Sequence, residues 1–107
     1  MKLDISTKNI RLDNPIRVFI HSKMEDLEHL LGTAAFLANV EVGKQSQHHK
    51  TGPIFYAEAN VHVGGKLLRA QAEHVDLRAA IVDVKEGLKI QIKKFKEKPK
   101  SVTRKRK

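Results

Sequence analysis

The sequence predicts an α+β fold in which two helices pack on one face of a four-stranded antiparallel sheet. Four short segments alternate apolar and polar residues, two longer segments repeat apolar residues every three or four positions, and turn or capping residues separate them. With 107 residues, 40% of them apolar and 31% charged, the chain has room for one domain and one modest core.

Lys2 to Thr7 alternates, with Leu3, Ile5 and Thr7 on one side and Lys2, Asp4 and Ser6 on the other, as a half-buried strand does. Asp13-Asn14-Pro15 places a capping side chain ahead of a proline, which opens a helix. Ile16, Ile20, Met24, Leu27 and Leu31 then recur on one helical face, and Gly32 stops it. Leu37 to Gly43 is a second strand with Ala38, Val40 and Val42 inward, and the polar stretch from Lys44 to Pro53 is a loop. Ile54 to Val63 sets Phe55, Ala57, Ala59, Val61 and Val63 against Tyr56, Glu58, Asn60 and His62. Gly64-Gly65 is a two-residue hairpin turn, and Lys66 to Glu73 returns with Leu68, Ala70 and Ala72 inward. Asp76 caps a last helix that runs to about Lys98, where Pro99 marks the boundary. The order is β-α-β-β-β-α, and elements with one apolar face each are satisfied by two helices covering one side of a sheet. Residues 1–98 form the domain, and the basic stretch 99–107 is expected to be a disordered tail.

Charge is placed unevenly. Residues 1–74 hold nine Lys/Arg against eight Asp/Glu, net +1, whereas residues 75–107 hold twelve against four, net +8. So lopsided a field attracts a polyanion, of which nucleic acid is the commonest in a cell. On the last helix Arg78, Lys85, Lys89, Lys93 and Lys96 fall within roughly 80° of one another. Leu77, Ile81, Val84, Leu88, Ile92 and Phe95 gather about a quarter-turn away, so this row of cations need not be buried. Like charges four apart repel, and the arrangement costs stability unless a partner neutralises it. A bare solvated face is the competing explanation, and it weakens with five cations in one stripe. Such a helix grips phosphates and carries little base information. With four Phe and one Tyr, stacking platforms are scarce, which favours folded RNA read by shape.

Other classes find less support. The longest apolar runs fall far short of the roughly 18–20 residues that span a bilayer, and the alternating, charged N-terminus is not a signal peptide. Cysteine is absent, which excludes disulfides and thiolate chemistry and fits a reducing cytoplasm. His48 and His49 share a polar loop, while His21, His29, His62 and His74 lie on separate elements without metal-ligand spacing, so no metal or other cofactor is expected. His74, beside the capping Asp76, is expected to fix the strand-to-helix corner. Gly64-Gly65 lacks the surroundings of a phosphate loop, and no acid–base pair stands out, so an enzyme is not expected.

Two motifs carry a resemblance. AEHVDLRAAI, with His74, Asp76, Leu77, Ala80 and Ile81, is similar to an H-x-D-M-Y-x-A-I signature. LKIQIKKFKEK keeps Leu88, Gln91, Ile92 and Lys94 of a K-L-x-R-Q-L-x-K-x-K run, with Lys98 just beyond it. Ile5, Lys8 and Arg17 stand where similar residues are found, and Lys23 and Leu27 resemble a K/R-L-x-K-L pattern in the first helix. Over residues 1–98 the chain thus resembles the ribosome hibernation-promoting factor and ribosome-associated inhibitor family, also called protein Y. The resemblance implies a fold similar to a double-stranded-RNA-binding domain, and a translation inhibitor that occupies the messenger and transfer RNA cleft of the small ribosomal subunit in stress or stationary phase. It is expected to be a short form of the family, monomeric off the ribosome and without a membrane or small-molecule partner. Ribosomal RNA would be held by Arg78, Lys85, Lys89, Lys93, Lys94, Lys96 and Lys98, with a weaker second contact from Lys8, Arg11, Arg17 and Lys23. Departures are Arg78 for the signature tyrosine, Gly87 for a lysine, Ile90 for an arginine, and an acidic first helix with Glu25, Asp26 and Glu28. Lys85 and Lys89 are expected to replace the missing charge, and Gly87 to cost roughly 1 kcal/mol relative to Ala. The alternative is a general structured-RNA-binding or ribosomal-protein-like module.

Overall fold

A computed structural model describes residues 1–32, 36–45 and 54–105. The elements are β1 (Lys2–Lys8), α1 (Asn14–Leu31), β2 (Phe36–Lys44), β3 (Phe55–Val63), β4 (Lys66–His74) and α2 (Leu77–Lys105). The strands form one sheet in the order β1-β2-β3-β4.

That sheet is mixed, not antiparallel throughout as expected. β1 and β2 pair in parallel, from Lys2 opposite Leu37 to Lys8 opposite Gly43, while β2–β3 and β3–β4 are antiparallel. The cause is α1. An 18-residue helix spans about 27 Å, enough to carry the chain back along the whole of β1, so β2 starts where β1 started and runs the same way. Only the strands joined by direct connections reverse direction.

α1 begins as its cap dictates. Asp13 has extended backbone, its Oδ1 accepts the Ile16 N–H at 3.0 Å, and Pro15 fills the first turn. Gly32, at φ 71°, ends the helix and donates its N–H to the carbonyls of Glu28 and His29. Between β3 and β4, Gly64 and Gly65 both take positive φ, 56° and 74°, as a tight hairpin with matching twist requires. Asp76 starts α2 as expected: its Oδ1 accepts the Arg78 N–H at 3.1 Å. His74 Nδ1 in turn accepts the Asp76 N–H at 3.0 Å, which fixes the corner.

The end of α2 is a correction. The helix does not stop before Pro99 but runs to Lys105, so the basic tail begins inside a helix. The expected boundary rested on the extended preference of the residue before a proline. Here the helix continues through Pro99 despite that preference and the missing N–H, at a position where proline costs about 3 kcal/mol in an isolated helix interior.

Both helices cover the same face of the sheet. Ile20, Met24 and Leu27 of α1 and Ala80, Ile81, Val84, Leu88 and Ile92 of α2 are buried in one cluster with Ala38, Val40, Val42, Ala57, Ala59, Val61 and Leu68. Small side chains at the sheet centre let the helices come close. At Gly87 a Cβ would lie 3.3 Å from Ala70 Cβ, so this glycine marks close approach of α2 to β4. The cost expected at that position is therefore offset by a contact that any side chain would crowd.

Candidate nucleic-acid interface

The opposite face of the sheet is open and carries Asp4, Glu41, Glu58 and Glu73 against Lys2, Lys8 and Arg69. Glu41 and Glu58 stand directly across β2–β3. Their repulsion is relieved from both sides: Arg69 Nη2 donates to Glu58 Oε2 at 2.8 Å, and the Tyr56 hydroxyl donates to Glu41 Oε2. That hydrogen bond, with burial next, pushes the Tyr56 phenol up to about 12. The positive excess of the chain lies on α2, which holds ten Lys/Arg against three Asp/Glu, whereas α1 holds two against three.

The row on α2 is present, and its members differ. Arg78, Lys93 and Lys96 are exposed, and Lys89 is half-buried. Lys85 is the least accessible, with 15% of its side chain exposed, and its Nζ lies 3.8 Å from Asp26 and 3.1 Å from Glu86. The Lys85 hydrogen bond holds the Glu86 carboxyl below the usual carboxylate range. Lys96 Nζ donates to the Leu30 carbonyl at 2.8 Å and so ties α2 to the end of α1. The row thus borders the seam between the helices, with Asp26, His29 and Leu30 across from Lys85 and Lys89. Lys94 is exposed but lies about 100° around the helix from Lys93, off the row and near the exposed Ile90. Lys98 belongs to α2, and its side chain lies outside the described residues.

The second group is dispersed. Lys8 and Arg11 are exposed at the end of the molecule where both helices begin, and Arg17 is exposed on α1 about 120° from Lys23. Lys23 alone among them joins α2. Its Nζ lies 5.1 Å from the centroid of the Phe19 ring, and the Arg78 guanidinium carbon lies 5.5 Å from the same centroid. Phe19 escaped the sequence reading, although its four-residue spacing to Lys23 on a helix was the signal available.

The acids of α1 are committed internally. Asp26 faces Lys85, and Glu25 Oε2 lies 3.5 Å from His21 Nδ1. Glu28 accepts a 2.8 Å hydrogen bond from the amino-terminal ammonium, which lowers its pKa. Among the described residues no group of three or more potential metal ligands occurs, and His48 and His49 lie outside them. Among the described residues no helix is long and apolar enough to cross a membrane.

A basic helical face over a β-α-β-β-β-α sheet suits a binding protein whose partner is a polyanion. Residues 3–100 match the family described as Sigma 54 modulation protein / S30EA ribosomal protein, and the chain belongs to it. The family comprises ribosome-associated translation modulators, not enzymes. The structure is similar to the N-terminal domain of Thermus thermophilus protein Y, with a TM-score of 0.77 and 25% identity over 89% of this chain and 99% of that one. It also shares the fold of a ribosomal subunit interface protein from Coxiella burnetii, with a TM-score of 0.74 and 18% identity over 90% of this chain and 98% of that one. No curated protein sequence matches the chain.

Proposed function

We propose that this protein is a cytoplasmic ribosome hibernation factor that binds the small subunit in the messenger and transfer RNA cleft and inhibits translation by occupying it. The observation that carries the reading is the row of exposed Arg78, Lys93 and Lys96 with half-buried Lys89, held rigid by Ile81, Val84, Leu88 and Ile92 beneath it. A row spaced along a helix meets the regular phosphates of folded RNA, and membership of a ribosome-associated family supplies the RNA. No catalysis is needed, because a bound domain excludes messenger and transfer RNA by volume. Production in stress or stationary phase would then silence idle ribosomes reversibly.

Co-sedimentation with purified small subunits tests the reading. Lys89→Glu with Lys93→Glu reverses two members of the row that have no ion pair among the described residues, and leaves Lys85 and Lys96, which have structural partners, in place. The pair of substitutions is expected to abolish co-sedimentation with the fold intact, and persistence of binding overturns the assignment of the row. A competing duplex RNA separates this reading from a general structured-RNA binder, which would be displaced by the duplex at comparable concentration.

A further inference from the structure

Lys23 and Arg78 differ from Lys85 and Lys96 in being ordered by an aromatic ring, Phe19, and not by a carboxylate or a carbonyl. The two cations come from different helices and converge on one ring, at 5.1 and 5.5 Å. Bringing like charges together is unfavourable, and the ring quadrupole offsets it by attracting both. Neither cation forms an ion pair among the described residues, whereas Lys85, further along the same seam, has two carboxylates beside it. Each helix N-terminus nearby already has its own carboxylate, Asp13 on α1 and Asp76 on α2. An anion arriving here is therefore met by side chains and not by helix ends.

We infer that these three residues form a clamp for an RNA backbone, in which Lys23 and Arg78 bind phosphates and Phe19 is the positioning residue that pre-orders them. The inference rests on the RNA-binding reading above and adds a site to it. A planar guanidinium held on an aromatic ring keeps its fork of donors fixed for a phosphate, and an ammonium beside it suits a second phosphate of the same strand. Ordering a long side chain on binding weakens association by about threefold to tenfold. The ring removes part of that loss for both side chains before the RNA arrives.

The test measures affinity of the full chain for purified bacterial small subunits and, in parallel, for a short RNA duplex, each at several salt concentrations. Phe19→Leu keeps an apolar side chain and every charge. It is expected to weaken binding by about tenfold with an unchanged slope of affinity against salt, and Phe19→Trp to restore it. Lys23→Gln with Arg78→Gln is expected to reduce the slope by about 0.7–0.9 per cation, and Phe19→Leu added to that pair to cost nothing further. Wild-type affinity in Phe19→Leu, no recovery in Phe19→Trp, or an equal loss in the doubly neutralised background overturns the clamp. If the wild type binds duplex and not subunits, the proposed function falls and the clamp is judged on the duplex. Binding to neither overturns both.

Discussion

Gln91 of α2 closes over Arg69 on the outer edge of β4, its Oε1 accepting the Arg69 N–H at 3.2 Å and its Nε2 donating to the Arg69 carbonyl at 2.6 Å. One amide thereby behaves as a single residue of a missing fifth strand. Arg69 is an edge position whose backbone groups would otherwise face solvent and invite pairing with another chain.

Removing that amide should loosen the edge. Gln91→Ala is expected to cost about 1 kcal/mol, the net worth of ordinary hydrogen bonds at a solvated site, and to raise self-association through β4. Urea unfolding gives the first quantity and light scattering the second. Unchanged stability would mean that water replaces the amide without loss.

Gly43 admits no side chain. A Cβ there would lie 2.5 Å from the Lys8 carbonyl oxygen and 2.8 Å from the Tyr56 ring. The ring can turn, but the carbonyl belongs to the paired β1 strand and cannot retreat without breaking register. Gly43→Ala is expected to destabilise the fold by about 1–3 kcal/mol, read as a lower melting temperature that Tyr56→Ala does not fully recover.

Alkaline pH should expose the Tyr56–Glu41 bond. The phenol's ordinary value is 10.0 and the folded value is about 12, so the fold favours the protonated form. The resulting stability is fully present below the unfolded value and is lost as pH rises from 10 to 12. Tyr56→Phe is expected to flatten that segment of the stability profile relative to wild type. Tyr56 is the single tyrosine of the chain, so tyrosinate absorbance reads its titration directly, and a midpoint near 10 would remove the argument.

Lysines of the row should not be equivalent. Lys85 is already neutralised by Asp26 and Glu86, whereas Lys93 is exposed and has no ion pair among the described residues. Lys93→Gln is expected to lower the salt slope of RNA binding by about 0.7–0.9. Lys85→Gln is expected to lower it by less and to destabilise the contact between the helices. Equal slopes for the two variants would contradict the distinction.

How far the sequence carries depends on whether a feature is local. The apolar stripe of α1, the Asp13 cap, the Gly64-Gly65 hairpin and the His74–Asp76 corner follow from neighbours in the chain, and all are found. The parallel pairing of β1 with β2 was also latent, since a helix between two strands restores direction, but alternation within each strand holds no trace of it. Gly87, Gln91 and Phe19 acquire their roles from Ala70, Arg69 and Arg78 on other elements, and no single-strand or single-helix pattern reports such meetings. The difference between Lys85 and Lys93 is of the same kind: helical spacing puts both in one row, and only packing brings Asp26 to one of them.

Because α2 holds the positive excess while Asp4, Glu41, Glu58 and Glu73 sit across the sheet, the domain has one adhesive side. A chain of formal charge +9 with cations all round would cross-link polyanions and condense them into droplets or precipitate. This one should behave as a monovalent cover, saturating a surface at one layer and leaving a nearly neutral back that gives a second strand nothing to grasp.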